Sequence, residues 1–262
     1  MTDLSEEPYV NVSRDEHVAI VEIQRPPYNF FSVPMVAGIA DAFETLEADP
    51  DCRAIVLCAR GKAFCAGADL SNRDRRTGQS GPRAVNPIYD EALRLFSCTK
   101  PSIGAIHGPA IGGGLGLALA TDFRVTCTEA RFSANFNRLG FHPGFGLSAT
   151  LPNLIGTQQA AMMFYTGRRI DGQEAVRIGL ADMLVPQADV RAEAVALARG
   201  IAISSPLAVQ STRTTLRMGL VDQVRLAVAR ESLEQNRHFN TEDFKEGVKA
   251  MAERRLPQFV GR

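Results

Sequence analysis

The sequence predicts a mixed α/β fold, and three observations lead to that prediction. Short runs of apolar and β-branched residues, typical of strands, alternate with helix-like segments through the first half of the chain. Two of these runs end in loops poor in side chains, residues 63–69 and 109–116. From residue 187 onward the apolar spacing is almost wholly helical. A chain of 262 residues with 45% apolar content can bury one large core, with or without an accessory segment.

The first elements follow from local pattern. Residues 17–24 alternate and are β-branched, as expected for a strand, and residues 9–14 can pair with them. Ser32 precedes a proline at a helix start, and apolar residues then recur at helical spacing over 35–48. In residues 53–59 a continuous apolar run follows Arg53, which predicts a buried strand.

The later elements continue the alternation. Residues 71–87 are polar and rich in Arg, Gly and Pro, which predicts a mobile loop beside a ligand site. The elements predicted after it are a helix from 87 to 96, a strand over 102–106, a buried helix over 114–120, a strand over 123–126, and C-terminal helices over 190–203, 207–217, 220–238 and 241–254.

Composition narrows the function classes. Lys+Arg and Asp+Glu number 29 each, so the zero net charge gives no support to nucleic-acid or membrane-surface binding. The polar, acidic first residues are unlike a signal peptide, and no apolar run reaches the ~20 residues of a membrane span. The five cysteines show neither metal-ligand spacing nor a disulfide framework. We therefore expect a cytoplasmic protein without a bound metal.

The two loops poor in side chains carry most of the functional information. We name residues 63–69 the first glycine loop and residues 109–116 the second glycine loop. Glycine and alanine let a backbone approach a ligand closely, and free N–H groups at a helix start favour negative charge. Two such loops fit a thioester carbonyl whose oxygen becomes an enolate or a tetrahedral oxyanion. The alternative interpretation is a pair of tight turns beside a packed core.

Together with these loops, other landmarks occur in an order that resembles the enoyl-CoA hydratase/isomerase (crotonase) superfamily over nearly the whole chain. They are Arg25-Pro26-Pro27-Tyr28-Asn29, Lys100-Pro101, Leu139-Gly140, Thr166-Gly167-Arg168, Ala175-Val176-Arg177 and Phe244-Lys245-Glu246-Gly247. The resemblance implies an α/β spiral, similar to that of ClpP, of repeated strand-strand-helix units. It implies a spiral core over residues 1–200 and a helical region over 201–262 that makes trimer contacts and covers the active site.

The resemblance also implies the ligand and the groups that bind it. The family acts on acyl-CoA thioesters without a permanently bound cofactor, coenzyme A being part of the substrate, and it assembles as homotrimers or homohexamers. Its oxyanion hole falls on the backbone N–H groups of Ala68 and Gly113, with Gly112 beside them. The carbonyl of Ala66 would face the adenine. Arg254 matches a basic residue that approaches the 3′-phosphate from a neighbouring subunit.

This chain departs from the family pattern at the two catalytic glutamates. The corresponding positions hold Gly116 and Phe136, and neither can transfer a proton. We assign both to the lining of the substrate site, with Phe136 making it apolar. The best substitute is His142, because an imidazole titrates near neutrality. The alternative role for His142 is that of a packed or solvent-facing loop residue.

Three further residues have competing interpretations. Tyr89 could donate a hydrogen bond to substrate or pack within its helix. Asp69 could contact substrate or serve as a helix cap or loop brace. Cys65, inside the first glycine loop, is a small apolar spacer or a nucleophile, and the spacer is favoured because the family does not use that position chemically.

The resulting functional expectation is an enoyl-CoA hydratase or isomerase. The missing glutamates raise a rival, hydrolytic C–C cleavage of a β-dicarbonyl or cyclic acyl-CoA, and a thioester hydrolase is a third possibility. A hypothesis from another class is a non-catalytic acyl-CoA-binding protein, which would bind acyl-CoA and turn over no thioester.

Overall fold

The computed structural model of the protein describes residues 9–68 and 86–262. The strands within these residues are β1 (Val10–Asp15), β2 (Val18–Ile23), β3 (Ala54–Ala59), β4 (Ser102–Ile106), β5 (Ala110–Ile111), β6 (Phe123–Thr126), β7 (Arg131–Ser133), β8 (Ile170–Asp171) and β9 (Met183–Leu184). The helices are α1 (Val33–Ala48), α2 (Pro87–Ser97), α3 (Gly113–Ala120), α4 (Leu147–Ile155), α5 (Thr157–Thr166), α6 (Gly172–Arg177), α7 (Val190–Ala202), α8 (Pro206–Leu216), α9 (Leu220–His238) and α10 (Glu242–Ala252).

Across the described residues, the strands form two sheets. The larger has the order β1-β2-β3-β4-β6-β9, in which β1 and β2 are antiparallel and every later pair is parallel. The smaller has the order β5-β7-β8. The two alternate along the chain, because β4 is followed by β5 and β6 by β7. This alternation is the repeating strand-strand-helix pattern that the sequence predicts.

Helix starts follow the local capping chemistry. The hydroxyl oxygen of Ser32 accepts a hydrogen bond from the Met35 N–H at the start of α1 (3.3 Å). The side chain of Asn86 does the same for the Ile88 N–H at the start of α2 (3.1 Å). Because each cap is followed by a proline in the first turn, both starts are well specified by sequence.

Every strand and helix that the sequence predicts is confirmed to within two residues at each end. The segment between β6 and α7 contains strands and helices that the sequence does not predict. Its strands are only two or three residues long, too short to show a period, and α4 contains Pro152. The predicted loop over 71–87 falls almost entirely outside the described residues.

The core lies between the large sheet and its covering helices. Helix α7 packs on β2, β3, β4 and β6, and α1 packs on β1, β2 and α2. In the described part of the chain, no single helix is long and apolar enough to cross a membrane, although the bent pair 187–202 and 206–216 meets the length and composition criteria when taken together.

Candidate functional site

The first glycine loop follows β3 and is held by the buried side chain of Asn29. The Asn29 Nδ2 donates hydrogen bonds to the carbonyls of Arg60 (2.7 Å) and Ala63 (2.8 Å). Its Oδ1 accepts from the Arg25 N–H (2.9 Å). Because Asn29 is fully buried, its amide is committed to these contacts and fixes the loop against the preceding turn. Asn29 enters the sequence prediction only as part of a landmark, with no role of its own.

The second glycine loop lies alongside the first. The Cys65 N–H donates to the Pro109 carbonyl and the Ile111 N–H donates to the Cys65 carbonyl, both at 3.0 Å. A Cβ at Gly114 would lie 2.0 Å from the Cys65 oxygen, so this contact leaves no room for a side chain. Gly67 has a φ of +88°, and a Cβ there would lie 2.8 Å from the Ile111 oxygen. The two loops are therefore in direct backbone contact.

The orientation of the Ala68 amide follows from its peptide plane. The Gly67 carbonyl accepts a hydrogen bond from the Phe31 N–H (2.8 Å). In a trans peptide the N–H of the next residue points the opposite way, so the Ala68 N–H points away from Phe31. That is the side of the loop on which β5 lies, since Cys65 bridges Ala110 there.

The Gly113 amide is oriented by the same rule. The Gly112 carbonyl accepts from the N–H groups of Leu115 (3.0 Å) and Gly116 (3.2 Å), so it points along α3. The Gly113 N–H consequently points out of the helix N-terminus, where it has no partner inside the helix. Neither the Ala68 nor the Gly113 N–H donates a hydrogen bond to another described residue. Both are donors that a ligand oxygen can use.

Gly116, at the end of the second glycine loop, and Phe136 are the positions that the resemblance aligns with catalytic glutamates. A Cβ at Gly116 would lie 2.7 Å from Cδ1 and 2.8 Å from Cβ of Phe145, which is buried. Phe136 is also buried, and a Cβ at Gly112 would lie 3.7 Å from its Cζ. Aromatic carbon therefore occupies the surroundings of both positions.

Phe136 is part of an aromatic cluster that joins the site to the C-terminal helices. Its ring meets Phe141 edge to face at a centroid distance of 5.5 Å. Phe141 in turn contacts Phe239 (5.3 Å) and Phe244 (5.8 Å). Because Phe239 follows α9 and Phe244 lies in α10, the C-terminal helices pack against Phe141 and, through it, connect to Phe136 of the same chain.

His142 lies in the loop before α4 and is half-buried. Its Nδ1 lies 2.9 Å from the Pro143 carbonyl oxygen. A carbonyl oxygen only accepts, so in this arrangement Nδ1 carries a proton, and Nε2 keeps its lone pair whenever the ring is neutral. The His142 N–H donates to Nδ1 of His238 (3.1 Å). Nδ1 and the backbone N–H of His142 are thus both held by contacts within the protein.

Tyr89 is placed behind that loop. Its hydroxyl donates to Oε1 of Gln235 (2.8 Å), and a Cβ at Gly144 would lie 2.0 Å from the hydroxyl oxygen. Tyr89 is 5% exposed, so this hydroxyl is used inside the protein. Gln235 connects it to the backbone carbonyls of the His142 loop.

The other predicted site residues are Ala66, Arg254 and Asp69. No described residue donates to the Ala66 carbonyl, and the Ala66 N–H donates to the Tyr28 carbonyl (3.0 Å). Arg254 is exposed beyond α10, and among the described residues it forms no ion pair, whereas Arg255 pairs with Glu246 and Glu253. Asp69 lies outside the described residues.

Cys65 is fully buried, and burial raises the pKa of its thiol to about 12. A thiol with that pKa stays protonated near neutrality and is a poor nucleophile. The interpretation of Cys65 as a spacer is therefore favoured. Within the described ranges, no group of three His, Cys, Asp or Glu side chains could hold a metal ion.

Sequence reasoning missed two polar residues of α9. The buried positions of this helix include Val224, Val228, Glu231 and Gln235, which recur at helical spacing. A glutamate and a glutamine on an otherwise apolar face were the available signal, because buried polar groups need partners.

Comparisons with known proteins identify the family and the fold of the chain. A family model described as enoyl-CoA hydratase/isomerase matches residues 13–262. A Mycobacterium tuberculosis protein named "probable enoyl-CoA hydratase" is 38% identical over 209 residues, covering 79% of this chain and 81% of that protein. An enoyl-CoA hydratase/isomerase structure from Pseudoalteromonas atlantica superposes with a TM-score of 0.85 at 30% identity, covering 96% and 100% of the two chains. The carnitinyl-CoA hydratase structure from Mycobacterium avium gives a TM-score of 0.84 at 30% identity, covering 98% and 100%.

Proposed function

Because the chain belongs to the enoyl-CoA hydratase/isomerase family, and is therefore an acyl-CoA-transforming enzyme of that type, we propose that it polarises a coenzyme A thioester between the backbone N–H groups of Ala68 and Gly113. One arrangement supports this proposal. The two loops are in backbone contact, and in each the carbonyl before the amide accepts a hydrogen bond within the protein, so the N–H points the opposite way. One donor of this kind contributes about 2.7–4 kcal/mol to transition-state stabilisation.

We further propose that His142 transfers the proton. Support comes from the Nδ1 contact with the Pro143 carbonyl, which leaves Nε2 able to accept a proton. In hydration, Nε2 takes a proton from water while the oxygen of that water adds to Cβ and the thioester becomes an enolate. The imidazolium then returns the proton to Cα, so a single base balances the reaction. In isomerisation the same nitrogen moves a proton along the acyl chain through a dienolate.

A second candidate reaction is favoured by one observation. Phe136 stands at one of the two positions that the family resemblance assigns to glutamates, and the ring of Phe145 fills the space beside the other, Gly116. An apolar site with one base fits hydrolytic C–C cleavage of a β-dicarbonyl or cyclic acyl-CoA. Water, deprotonated by His142, would add to the ketone carbonyl, the C–C bond would break, and the resulting thioester enolate would be protonated.

Coenzyme A recognition is proposed on the family pattern. The Ala66 carbonyl would accept from the adenine, and Arg254 would bind the 3′-phosphate in a neighbouring subunit. Asp69, Tyr89, Gly112, Gly116 and Phe136 complete the proposed substrate site, with Tyr89 acting through Gln235. Arginine suits phosphate because it offers paired donors.

We propose that the C-terminal region, 201–262, both covers the site and joins subunits into a trimer or hexamer. Its apolar side chains Leu216, Met218 and Leu226 are each more than 70% exposed in the single chain. Exposed apolar surface of this kind is typical of an interface.

The experiment is a panel of saturated, unsaturated, β-keto and cyclic acyl-CoA thioesters followed by mass spectrometry. His142→Ala is expected to lower activity at least about tenfold, the loss typical of a general acid–base group, while binding is kept. The matched control is His17→Ala, because His17 also places Nδ1 against a backbone carbonyl but lies at the β1–β2 turn. Full activity of His142→Ala would exclude His142 as the base.

The oxyanion hole has its own readout. In protein carrying 15N-labelled alanine and glycine, a bound non-reacting thioester should shift the amide signals of Ala68 and Gly113 together. Shifts confined to other residues would exclude these two donors.

A further inference from the structure

Helix α9 presents three polar side chains to the loop that carries His142. Glu231, Gln235 and His238 are spaced four and three residues apart, so they lie on one face of the helix. Glu231 is fully buried and Gln235 is 3% exposed. We name these three residues the α9 polar face.

Glu231 holds the end of the loop at the start of α4. Its Oε2 accepts from the Gly146 N–H (2.8 Å), and its Oε1 accepts from the N–H (2.9 Å) and hydroxyl (2.6 Å) of Ser148. Burial raises the pKa of the Glu231 carboxyl above its ordinary value, and the hydrogen bonds from Ser148 and Gly146 oppose that increase. A carboxylate also interacts favourably with a helix N-terminus.

Gln235 holds the beginning of the loop, and both ends of its amide are used. Its Nε2 donates to the carbonyls of His142 (2.9 Å) and Pro143 (3.2 Å), and its Oε1 accepts from the Tyr89 hydroxyl. The Pro143 carbonyl is the one that also accepts from Nδ1 of His142. Gln235 therefore fixes the acceptor that sets the tautomer of the imidazole.

His238 completes the set. Its Nδ1 accepts from the backbone N–H of His142 (3.1 Å), so this nitrogen is unprotonated in the arrangement described. Both backbone polar groups of His142 thus bind to α9, the carbonyl to Gln235 and the N–H to His238.

We propose that Glu231, Gln235 and His238 are positioning residues that hold His142 as the Nδ1–H tautomer, with Nε2 directed to the substrate. This inference rests on the proposed role of His142 as the base. The same face of α9 carries Val224 and Val228, which need no polar partner. A buried glutamate or glutamine costs free energy unless its polar atoms form hydrogen bonds. The side chains of Glu231 and Gln235 form theirs with the segment from His142 to Ser148, except for the one bond that Gln235 accepts from Tyr89.

The test is Gln235→Met, which keeps the length of the side chain and removes its donor and acceptor. Because a displaced base affects the chemical step, kcat should fall about tenfold to a hundredfold with little change in KM. Nitrogen NMR of the histidine rings should show His142 as a mixture of tautomers. Gln223→Met is the matched control, since Gln223 is an exposed glutamine of the same helix that accepts from Asn153.

Two further measurements keep the result decisive. If Gln235→Met does not fold, Tyr89→Phe removes only the hydroxyl that donates to Gln235 and should produce a smaller shift in the same direction. A folded Gln235→Met protein with an unchanged tautomer and unchanged kcat would overturn the proposal. Full activity of His142→Ala would refute the role of His142 as the base. The positioning could still be tested in that case, because the NMR measurement of the His142 tautomer needs no turnover.

Discussion

The ring of Phe145 fills the space into which a side chain at position 116 would project. Its Cδ1 would lie 2.7 Å from a Cβ at Gly116, closer than two such carbons can approach. Phe145 is buried and has a φ of +63°, an uncommon conformation for an aromatic residue. The glycine at position 116 and the placement of this ring are therefore linked, and a larger residue at position 116 should be tolerated only when the ring is replaced.

That link predicts a coupling between the two positions. Gly116→Ala should lower the free energy of unfolding by about 1–3 kcal/mol, because the added methyl overpacks a filled site. In a Phe145→Gly background the same substitution should lower the free energy of unfolding much less, because the side chain that the added methyl would meet is absent. Urea unfolding of the two single variants and the double variant measures the coupling free energy. Strict additivity would show that the ring does not limit position 116.

The contact between the two glycine loops predicts an intolerant position at Gly114. Gly114→Ala would place a methyl 2.0 Å from the Cys65 carbonyl, so the loops must separate. We expect loss of activity together with a lower melting temperature, since backbone rather than a flexible side chain has to move.

The control is the same substitution at Gly200, in α7, where nothing lies within 4 Å of the added Cβ. Gly200→Ala should stabilise the protein by about 0.5–1 kcal/mol, because alanine favours a helix over glycine. Equal behaviour of the two variants in thermal unfolding would contradict the tight contact at Gly114.

A buried ion network around Asp122, the residue before β6, predicts that the free energy of unfolding falls in acid. Asp122 accepts from Nε of Arg213 (2.7 Å) and Nη1 of Arg217 (2.6 Å). Burial alone would raise the pKa of the Asp122 carboxyl, but the two guanidinium groups outweigh it and hold that pKa below its usual value. Stability from this group is therefore present above about pH 4, the unfolded pKa, and is lost as pH falls through the folded pKa.

Urea unfolding at pH 7 and near pH 3 tests this dependence. Asp122→Asn should lower the free energy of unfolding by roughly 3 kcal/mol at pH 7, because two partly buried cations lose their counter-charge. The variant should also lose less stability on acidification, because the carboxyl that titrates has been removed. Asp222→Asn, which removes an exposed pair with Arg225, should cost less than about 0.5 kcal/mol. An unchanged pH slope in Asp122→Asn would show that other carboxylates dominate acid unfolding.

The sequence by itself determined the mixed α/β class, the family and the main elements. These properties depend on local chemistry: capping residues such as Ser32 and Asn86 begin helices, and the loop motifs occur in a fixed order. It also predicted the two loops in which glycine lets backbone meet backbone, as at Gly114, whereas the role of their amides stays a proposal.

Only the tertiary structure decided which atoms meet across distant segments. Asn29 reaches the loop after β3, Phe145 lies against Gly116, and Gln235 reaches the carbonyl of His142 from 93 residues away. No local pattern encodes these contacts, since each joins groups whose separation along the chain sets no distance in space. In the positioning proposed above, Gln235 holds the Pro143 carbonyl that Nδ1 of His142 contacts, so we expect the orientation of the proposed base to depend on the folded chain.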